Sequence, residues 1–529
     1  MAIQKHTRRD FIKQLGLGTV AMALPQTLEI IQGATPKKGK AKPNIILFLT
    51  DDQGWTDTSV QMMAGRPDSK SDFYQTPNLE RLAIEGMRFS SGYISAPQCS
   101  PTRVSIQFGK TPARLKQTHN HDLIGSDCRD EISTAQMIKA WNPNYGTAHF
   151  GKWMLRPPRV PEDMGYDESD GDTGNGDGST DTVDGKKVPL PDDDPKRIFS
   201  TTRKANEFME KKVKKGQPFF MQISHYALHV KHMCLKKTYE KYEKILAQEH
   251  LNDSAWITYA GMIEDLDTGL GLLLDKVDEL GIADNTYIIY TSDNGGAFRG
   301  NEPLNGHKRT LWEGGIRVPM VVRGPGIKPG SFCDVPVVGW DFLPTISDLI
   351  GNKKPLPDGI DGGSLRPLFE KGSDGKVKRG TEPLIFHFIA PGSTPVSAIR
   401  LDDYKLIKNL DTNEMRLFNL SEDIEERKDI SSSMPQKAKE LHKKLMNYLE
   451  TVDANTIEEA RKARRQELQK SNEKTKKEIN ELKERIKEVT NKKEKERFEQ
   501  KLVERREQLQ SQKDRLEEIG KIEHKAWGW

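Results

Sequence analysis

The chain is poor in cysteine and lacks any long apolar run. Its 529 residues contain four cysteines at irregular spacing, which form neither a disulfide framework nor a zinc-binding pattern. No apolar stretch approaches the roughly 20 residues that cross a bilayer, so we expect no integral membrane span. An excess of one charge is also missing, since 82 basic residues face 78 acidic ones. That balance argues against nucleic acid or an anionic membrane as the main partner.

Hydrophobic residues are scarce too, at 35% of the chain with a mean hydropathy of -0.72. A chain of this length exceeds what one core usually serves, so several domains are expected. The low hydropathy is concentrated beyond Asp453, where Lys, Arg, Glu and Gln dominate. Changes in composition predict four parts: a signal and linker at 1–36, a large domain at 43–360, a small domain at 380–452 and a charged helical tail at 455–529.

The N-terminus carries an arginine pair ahead of a short, weakly apolar stretch. Arg8 and Arg9 are followed by Phe11 and Lys13, and the stretch runs from residue 15 to residue 24. This pattern resembles a twin-arginine export signal. We therefore expect passage through the twin-arginine translocase to a periplasmic or extracellular location in a bacterium. A basic, frayed terminus is the alternative interpretation.

Three continuous apolar runs, at 44–49, 219–224 and 286–291, predict strands that are buried on both faces, as in a parallel sheet. A helix is predicted over 78–87, with Thr76 as its cap and Pro77 in its first turn. Strands that alternate with helices indicate an α/β layered domain, in which active sites collect at the carboxyl ends of the strands.

Polar side chains directly follow two of these strands. Asp51 and Asp52 come after the first run, and Asp293 and Asn294 come shortly after the run at 286–291. Three carboxylates and an amide oxygen are the ligands that Ca²⁺ or Mg²⁺ prefers, so a metal site is predicted here. The Asp- and Gly-rich segment at 163–194 superficially resembles a calcium loop but lacks the glutamate of that motif. We interpret it as a solvated loop near the site.

Cys99 precedes a predicted helix that begins at Pro101, so it lies among unpaired N–H groups at the positive end of the helix dipole. That environment favours an anionic substrate or intermediate. From the residues alone, Cys99 is either a thiolate nucleophile or a small buried side chain. If it is consumed chemically, Cys128, Cys234 and Cys333 allow at most one disulfide.

The C-terminal part of the chain changes character twice. Short strands at 383–388, 398–401 and 404–408, followed by a helix at 433–452, predict a small α+β unit. In the tail, apolar residues then recur at heptad spacing in two blocks that break near 490–497, which fits a helical hairpin or a coiled coil. The tail is expected to self-associate or to pack on the large domain, and a solvated helix without a partner is the alternative. The heptad positions are Leu468, Ile479, Leu482, Ile486 and Val489, and then Leu502, Leu509 and Leu516.

The segment Cys99-Ser100-Pro101-Thr102-Arg103, followed by Phe108-Gly109-Lys110, resembles the signature of type I sulfatases, which convert the cysteine to formylglycine. Further family hallmarks occur in the expected order and approximate spacing over roughly 43–452. They are Asn44–Asp52, Thr76–Leu79 with Glu85–Phe89, Gly151–Trp153, Pro218–Phe220 leading to His229, Ser292–Gly296, and Lys308 ahead of Glu313–Arg317. The resemblance implies an alkaline-phosphatase-like fold, in which helices sandwich a large mixed, mostly parallel sheet, with a smaller C-terminal α+β domain.

The resemblance also implies a chemistry, that of an arylsulfatase-type sulfuric ester hydrolase acting on an aryl or, more in keeping with export, a carbohydrate sulfate. A formylglycine-generating enzyme would convert Cys99. One hydroxyl of the hydrated aldehyde would bind calcium and attack sulfur, and the second would then expel sulfate. The implied calcium ligands are Asp51, Asp52, Asp293, Asn294 and the modified Cys99.

The remaining implied roles fall on basic side chains. Arg103 and Lys152 would hold the formylglycine hydroxyls, while Lys308 and His229 would bind sulfate oxygens. His225 and His232 are nearby alternatives to His229, which only its spacing from Pro218 favours. Either His229 or Asp293 would protonate the leaving alcohol.

One position departs from the family pattern. After Gly151-Lys152-Trp153 the family usually has a histidine that accepts a proton from the free hydroxyl, and this chain has Met154. Either His149 or His307 substitutes, or turnover is slower, or the protein binds without hydrolysing. Losing a general base typically costs about 10²–10⁴-fold in rate, which slows a well-built site without abolishing its activity. Two rivals remain open, a formylglycine phosphodiesterase or phosphonate monoester hydrolase and a sulfated-glycan-binding protein with a vestigial site.

Overall fold

A computed structural model of the chain describes residues 42–119, 128, 130–155, 159–183, 186–248, 250–251, 253–390 and 394–526. The predicted export signal lies outside these residues. Within them, no helix combines the length and the apolar character that a bilayer span requires. The four cysteines are all described, and none of them forms a disulfide.

Strands and helices alternate through the first three hundred described residues, as the sequence predicts. The strands are β1 Asn44–Thr50, β2 Met87–Phe89, β3 Gly146–Gly151, β4 Glu168–Ser169, β5 Thr180–Val183, β6 Lys186–Pro189, β7 Phe219–Ser224, β8 Thr286–Ser292, β9 Met320–Arg323, β10 Ser331–Cys333, β11 Leu384–Phe388, β12 Val396–Leu401, β13 Tyr404–Asn409 and β14 Met415–Asn419. The helices are α1 Pro77–Glu85, α2 Cys99–Phe108, α3 Thr134–Trp141, α4 Ile198–Lys214, α5 Lys236–Gln248, α6 Ser254–Glu279, α7 Glu313–Ile316, α8 Phe342–Leu349, α9 Arg366–Lys371, α10 Pro435–Thr451, α11 Ile457–Glu488 and α12 Lys492–Ala526.

An eight-stranded sheet in the order β10-β2-β9-β8-β1-β7-β3-β4 forms the centre of the large domain. β9 runs antiparallel to both of its neighbours, and the other pairings are parallel. The mixed, mostly parallel sheet is therefore confirmed.

The central strand β1 is buried on both faces. Ile46 and Phe48 belong to a core that includes side chains of α1, α4, α5 and α6. Ile45, Leu47 and Leu49 belong to a second core with α2, α3, α8 and α9. Because successive side chains of a strand point to opposite faces, helices on both sides require the continuous apolar sequence of β1.

The start of α1 is stabilised from a distant part of the chain. The backbone N–H groups of Asn78 and Leu79 donate to the carboxylate of Asp267 in α6, at 3.0 and 2.8 Å. The hydroxyl of Thr76 instead contacts the hydroxyl of Ser59 at 2.9 Å. Thr76 is the N-cap residue, as predicted, but its side chain makes no capping hydrogen bond, because tertiary contacts supply the acceptor.

The small domain is an antiparallel sheet in the order β11-β12-β13-β14, with α10 against one face. Its first three strands match the predicted ones, and β14 was not predicted as a strand. Its other face packs on the large domain, where Trp340 lies 5.7 Å from the ring of Phe386. The boundaries of the four predicted parts of the chain stay predictions.

The tail forms a helical hairpin of α11 and α12. Gln512 donates to the hydroxyl of Ser471 at 2.7 Å, and Arg505 pairs with Glu478 at 2.8 Å. These pairings make the two helices antiparallel. Self-association of the tail stays a prediction.

A buried ion network joins the small domain to α7, the helix that follows Lys308. Lys405 in β13 contacts Glu313 at 2.8 Å and Glu426 at 2.8 Å, and all three side chains are inaccessible to solvent. Arg317 completes the network by pairing with Glu313 at 2.6 Å.

Substituting Lys405→Met should destabilise the protein, because it leaves two buried carboxylates without their shared cation. We expect a loss of about 3–5 kcal/mol in the free energy of unfolding, measured by urea denaturation. The control is Lys487→Met, an exposed lysine of the tail whose ion pair within the described residues is with Glu484. A loss for Lys405→Met no larger than that of the control would contradict the structural role of this network.

Candidate active site

The ends of β1 and β8 bring the four predicted metal ligands together. The two strands are parallel and in register up to their last residues, so the residues that follow leave the sheet at the same edge. The backbone N–H of Asp52 donates to Oδ1 of Asp293 at 3.2 Å. Nδ2 of Asn294 donates to Oδ1 of Asp52 at 2.8 Å.

Cys99 is the first residue of α2, which begins two residues before the predicted start at Pro101. Its Sγ lies 3.3 Å from Oδ1 of Asp51 and 3.4 Å from Oδ1 of Asn294. One ligand atom each from Asp51, Asp52, Cys99 and Asp293 lie within 4.8 Å of one another, and all four residues are buried. This is the one cluster of acidic, histidine or cysteine side chains that could hold a metal ion in the described parts of the chain.

Three cations pair with the three carboxylates, and two of them, Arg103 and Lys152, are buried. Arg103 donates from Nε and Nη2 to Oδ2 of Asp293, at 3.0 and 2.8 Å. Lys152 contacts Oδ2 of Asp51 at 2.6 Å. Lys308 contacts Oδ1 of Asp52 at 2.5 Å and Sγ of Cys99 at 3.5 Å. The structure thus brings three of the four basic residues predicted for the site into direct contact with the carboxylates, and the fourth, His229, lies 3.9 Å from Asp52.

Burial opposes ionisation throughout this cluster, and neighbouring charges decide the outcome. Burial alone would raise the pKa of Asp51, but Lys152 and the other cations hold that pKa far below its usual range. Burial and the charge of Asp51 instead raise the pKa of Asp293. Carboxylates crowded in this way favour a divalent cation, which would neutralise their mutual repulsion.

The same environment raises the pKa of the Cys99 thiol well above its usual value, through burial and through the charges of Asp293 and Asp51. An unmodified thiol at this position is therefore protonated. Because the thiolate is the reactive form of cysteine, the cysteine itself is a weak nucleophile here.

His229 lies at the edge of the cluster, on the segment after β7. The backbone N–H of Asp51 donates to the carbonyl of Ala227 at 2.8 Å, which holds this segment beside the cluster. Nε2 of His229 is 3.9 Å from Oδ2 of Asp52, and Nδ1 is 2.7 Å from the carbonyl of Val230. Because a carbonyl only accepts, Nδ1 carries the hydrogen, and Nε2 can donate only when the ring is protonated.

Neither histidine considered as a substitute at Met154 contacts the cluster. The ring of His149 lies 3.1 Å from the hydroxyl of Ser224 and packs against Trp153, and burial together with Arg103 lowers its pKa to about 3. His307 is exposed, with Nδ1 2.7 Å from the carbonyl of Lys308. Among the described residues, neither ring has a hydrogen bond to Cys99 or to the metal-ligand candidates.

The Asp- and Gly-rich segment does not gather a metal site within its described residues. Asp170 accepts from the backbone N–H of Gly151 at 2.8 Å and pairs with Lys204 at 2.5 Å. Residues of this segment instead adjoin Met154, whose N–H donates to the carbonyl of Thr173 at 3.0 Å. The segment therefore lies near Met154, but it is not a plain loop, because it includes β4 and the antiparallel pair of β5 and β6.

Sequence reasoning missed Lys196, whose side chain is inaccessible to solvent. Burial lowers its pKa to about 8, and the charges of Asp51, Lys152 and Asp52 also act on that pKa. No motif marks it in the sequence, where it is one of many lysines. Its left-handed backbone, with φ of 55°, is visible only in the folded chain.

The chain resembles known proteins in sequence and in fold. The family model described as Sulfatase matches residues 43–352. The chain belongs to the sulfatase family. A second model, described as the C-terminal part of N-sulphoglucosamine sulphohydrolase, matches residues 306–455, which include the small sheet.

This sulfatase is 28% identical over 415 residues to the ulvan-active sulfatase of Formosa agariphila, which covers 72% of this chain and 76% of the relative. It is also 28% identical over 368 residues to N-acetylgalactosamine-6-sulfatase of Homo sapiens, covering 62% and 66% of the two chains. The solved structure of Ps i-CgsB in complex with k-i-k-neocarrahexaose matches with a TM-score of 0.65 at 26% identity, covering 77% of this chain and 93% of that one. The enzyme class and the fold expected from the sequence are thus confirmed.

Calcium should stabilise the metal-stripped protein through the cluster at the ends of β1 and β8. At a free calcium concentration 100 times the Kd, binding increases the free energy of unfolding by about 2.7 kcal/mol, and Tm rises as a result. Asp52→Asn removes one ligand charge and should reduce this calcium-dependent rise in a thermal denaturation assay. Asp170→Asn, in the Asp- and Gly-rich segment, is the matched control and should keep it. An equal rise in the Asp52→Asn variant and the parent protein would show that calcium binds elsewhere.

Proposed function

We propose that this sulfatase hydrolyses the sulfate esters of a carbohydrate, with calcium and a formylglycine made from Cys99. The buried cluster of three carboxylates around Sγ of Cys99 carries this proposal, because its donors suit a hard divalent cation. Sγ marks the place that an oxygen of the modified residue would occupy. Formylglycine supplies the nucleophilic oxygen, which the protonated thiol cannot replace.

Asp51, Asp52, Asp293 and Asn294 would hold the calcium ion. Bound there, calcium supplies a Lewis acid that lowers the pKa of an oxygen ligand and offsets negative charge on sulfate. The protein's own contribution is a rigid arrangement of charge. Arg103 is fixed by two hydrogen bonds to Asp293, and Lys152 by its contact with Asp51. Groups fixed in this way stabilise developing charge without having to reorganise during the reaction.

Lys308 and His229 would contact the substrate. Lys308 is 3.5 Å from Sγ of Cys99, close enough to hold a sulfate oxygen beside the nucleophile. His229 is less buried and has its Nε2 directed towards Asp52. A protonated ring there would donate its Nε2 hydrogen to the oxygen of the departing alcohol.

A cavity next to Lys308 supports a carbohydrate as the leaving group. It has a volume of about 330 Å³ and is lined by Arg309, Trp312, Asn409 and Arg416, among others. The N–H of Arg309 donates to the carbonyl of Pro97 at 2.8 Å, which ties the cavity wall to the segment that carries Cys99. An aromatic ring beside arginine side chains suits an anionic sugar. The glycan named in the solved Ps i-CgsB complex agrees with this choice.

We also propose export through the twin-arginine translocase, and modification of Cys99 by a formylglycine-generating enzyme before or during that export. Two rival functions remain. One is hydrolysis of a phosphodiester or phosphonate monoester instead of a sulfate ester, and the other is glycan binding without any bond cleavage. Phosphodiester or phosphonate hydrolysis would use the same cations, and the replacement of a histidine by Met154 motivates the glycan-binding alternative. Release of sulfate and of phosphate from nitrophenyl esters separates the three.

Substituting Cys99→Ala should abolish sulfate release from nitrophenyl sulfate, because alanine cannot become formylglycine. Mass spectrometry of the parent protein should detect formylglycine at residue 99. The matched control is Cys234→Ala, which alters a half-buried cysteine in the core around α5 and α6. Residual activity of Cys99→Ala above a tenth of the parent, with circular dichroism unchanged, would contradict the assigned nucleophile. A parent protein that carries formylglycine but releases no sulfate would overturn the proposed function.

Substituting His229→Ala should slow the hydrolysis of carbohydrate sulfates more than the hydrolysis of nitrophenyl sulfate. An alkoxide is a poor leaving group that needs the proton, while nitrophenolate leaves without one. We expect kcat to fall about 10²–10⁴-fold for the carbohydrate ester and at least tenfold less for the nitrophenyl ester. His250→Asn, an exposed histidine, serves as the control. Equal losses for both esters would restrict His229 to sulfate binding and leave protonation to another group.

A further inference from the structure

Lys196 is a buried cation whose charge no carboxylate takes up. Its side chain has no accessible surface, and its hydrogen bond in the described structure is to the hydroxyl of Ser179, at 3.5 Å. The buried lysines Lys152 and Lys405 instead contact carboxylates at 2.6 and 2.8 Å. Within the described ranges Lys196 forms no ion pair. Burying an ammonium group without a counter-ion is costly, so such a group persists mainly where it serves a purpose other than stability.

The ammonium group of Lys196 lies in the electrostatic field of the active site. Burial lowers its pKa to about 8, while the charge of Asp51 opposes this and that of Lys152 adds to it. Lys196 in turn acts on the pKa of His232, which also responds to Asp52. Neighbouring contacts place Lys196 at the edge of the sheet where β3 and β7 end. A Cβ at Gly151 would lie 3.5 Å from Thr201 in the first turn of α4, and Gly178, next to Ser179, packs on Tyr226.

Lys196 lies in a turn whose backbone conformation is unfavourable for a lysine. Lys196 and Arg197 both have left-handed conformations, with φ of 55° and 54°. Such conformations are unfavourable for residues other than glycine and concentrate at functional sites. Two contacts stabilise the turn: Arg197 donates to the carbonyl of Asp177 at 2.6 Å, and Asp194 accepts from the N–H of Phe199 at 2.9 Å.

We propose that Lys196 contacts the substrate and binds an anionic oxygen of the reacting sulfate group. This rests on the proposed function of the site. Arg103, Lys152 and Lys308 each have a carboxylate partner, whereas Lys196 has none among the described residues. Its whole charge is therefore available to the substrate, in addition to the contacts of Lys308 and His229. The sulfate ester carries one negative charge spread over three oxygens, and Lys196 would hold it by charge alone, without transferring a proton. Lys196 belongs to none of the sequence motifs that mark the site.

The test uses the full-length protein with Cys99→Ala, which binds the substrate without turning it over. Lys196→Met keeps the length and straight shape of the side chain and removes its charge. We expect Lys196→Met to weaken nitrophenyl sulfate binding, measured by isothermal titration calorimetry, by about 10- to 100-fold. Lys196→Arg, which keeps the charge, should retain most of the affinity. Lys214→Met, at the exposed end of α4, is the matched control and should bind like the parent.

Thermal stability distinguishes substrate binding from a structural role. Without ligand, Lys196→Met should melt at or above the temperature of its parent, because an unpaired buried charge is gone. A variant that is clearly less stable, or does not fold, would overturn the proposal, and so would unchanged affinity for nitrophenyl sulfate.

The choice of ligand separates two sources of the anionic oxygen. Nitrophenyl sulfate carries only the reacting sulfate, whereas a disulfated disaccharide carries a second anionic group. Weaker binding of the disaccharide alone would place Lys196 at a neighbouring substituent and would overturn its assignment to the reacting sulfate. Sulfate release by the protein with Cys99 intact is assayed separately. If that assay fails while the effect of Lys196 on binding persists, the proposed function fails and the anion-binding role stands.

Discussion

The parallel pairing of β1 with both β7 and β8 is the constraint on which the active site depends. Leu49 in β1 lies opposite Ser224 in β7, and Thr50 lies opposite Ser292 in β8. The three strands therefore end together, and the segments that leave them carry the acidic cluster and His229. A slip of one residue would exchange the two faces of β1 and separate the carboxylates from Cys99.

The next strand extends this arrangement to Lys152. β3 pairs with β7 up to Gly151, which has φ of 88°. A Cβ atom there would lie 2.0 Å from the carbonyl oxygen of Ser224, so only glycine allows the chain to turn at this point. The N–H of Lys152 then donates to that same oxygen at 2.7 Å, and its side chain reaches Asp51. One glycine thus connects the sheet geometry to the charge balance of the site.

Sequence patterns identified the features that depend on nearby residues. The continuous apolar runs located β1, β7 and β8 to within a residue, because a strand buried on both faces needs such a run. Their polar ends then located the acidic cluster, since parallel strands share an edge. Heptad spacing likewise indicated paired helices in the tail, although it did not decide between a hairpin and association with a second chain.

Features that depend on distant residues could not be predicted in this way. The acceptor for the first turn of α1 is Asp267, about 190 residues further along the chain, and Thr76 was the better local candidate. The sequences around Lys405 and Glu426 contain no pattern that predicts a buried ion pair. Lys196 is still harder to recognise, because only the folded chain reveals that it is buried without a carboxylate partner among the described residues.

Electrostatic stabilisation by fixed charges can offset the loss of a general base at Met154. Loss of a general base costs about 10²–10⁴-fold, and neither His149 nor His307 contacts the cluster to restore it. One preorganised hydrogen-bond donor at developing charge contributes about 10²–10³-fold, a comparable amount. In the protein alone, Arg103, Lys152 and Lys308 balance Asp51, Asp52 and Asp293, so the attraction for an anion has to come from added positive charge. A divalent cation and the unpaired Lys196 would both supply it. We infer that a site built in this way depends more on electrostatic stabilisation than on a base, and that it would therefore tolerate Met154.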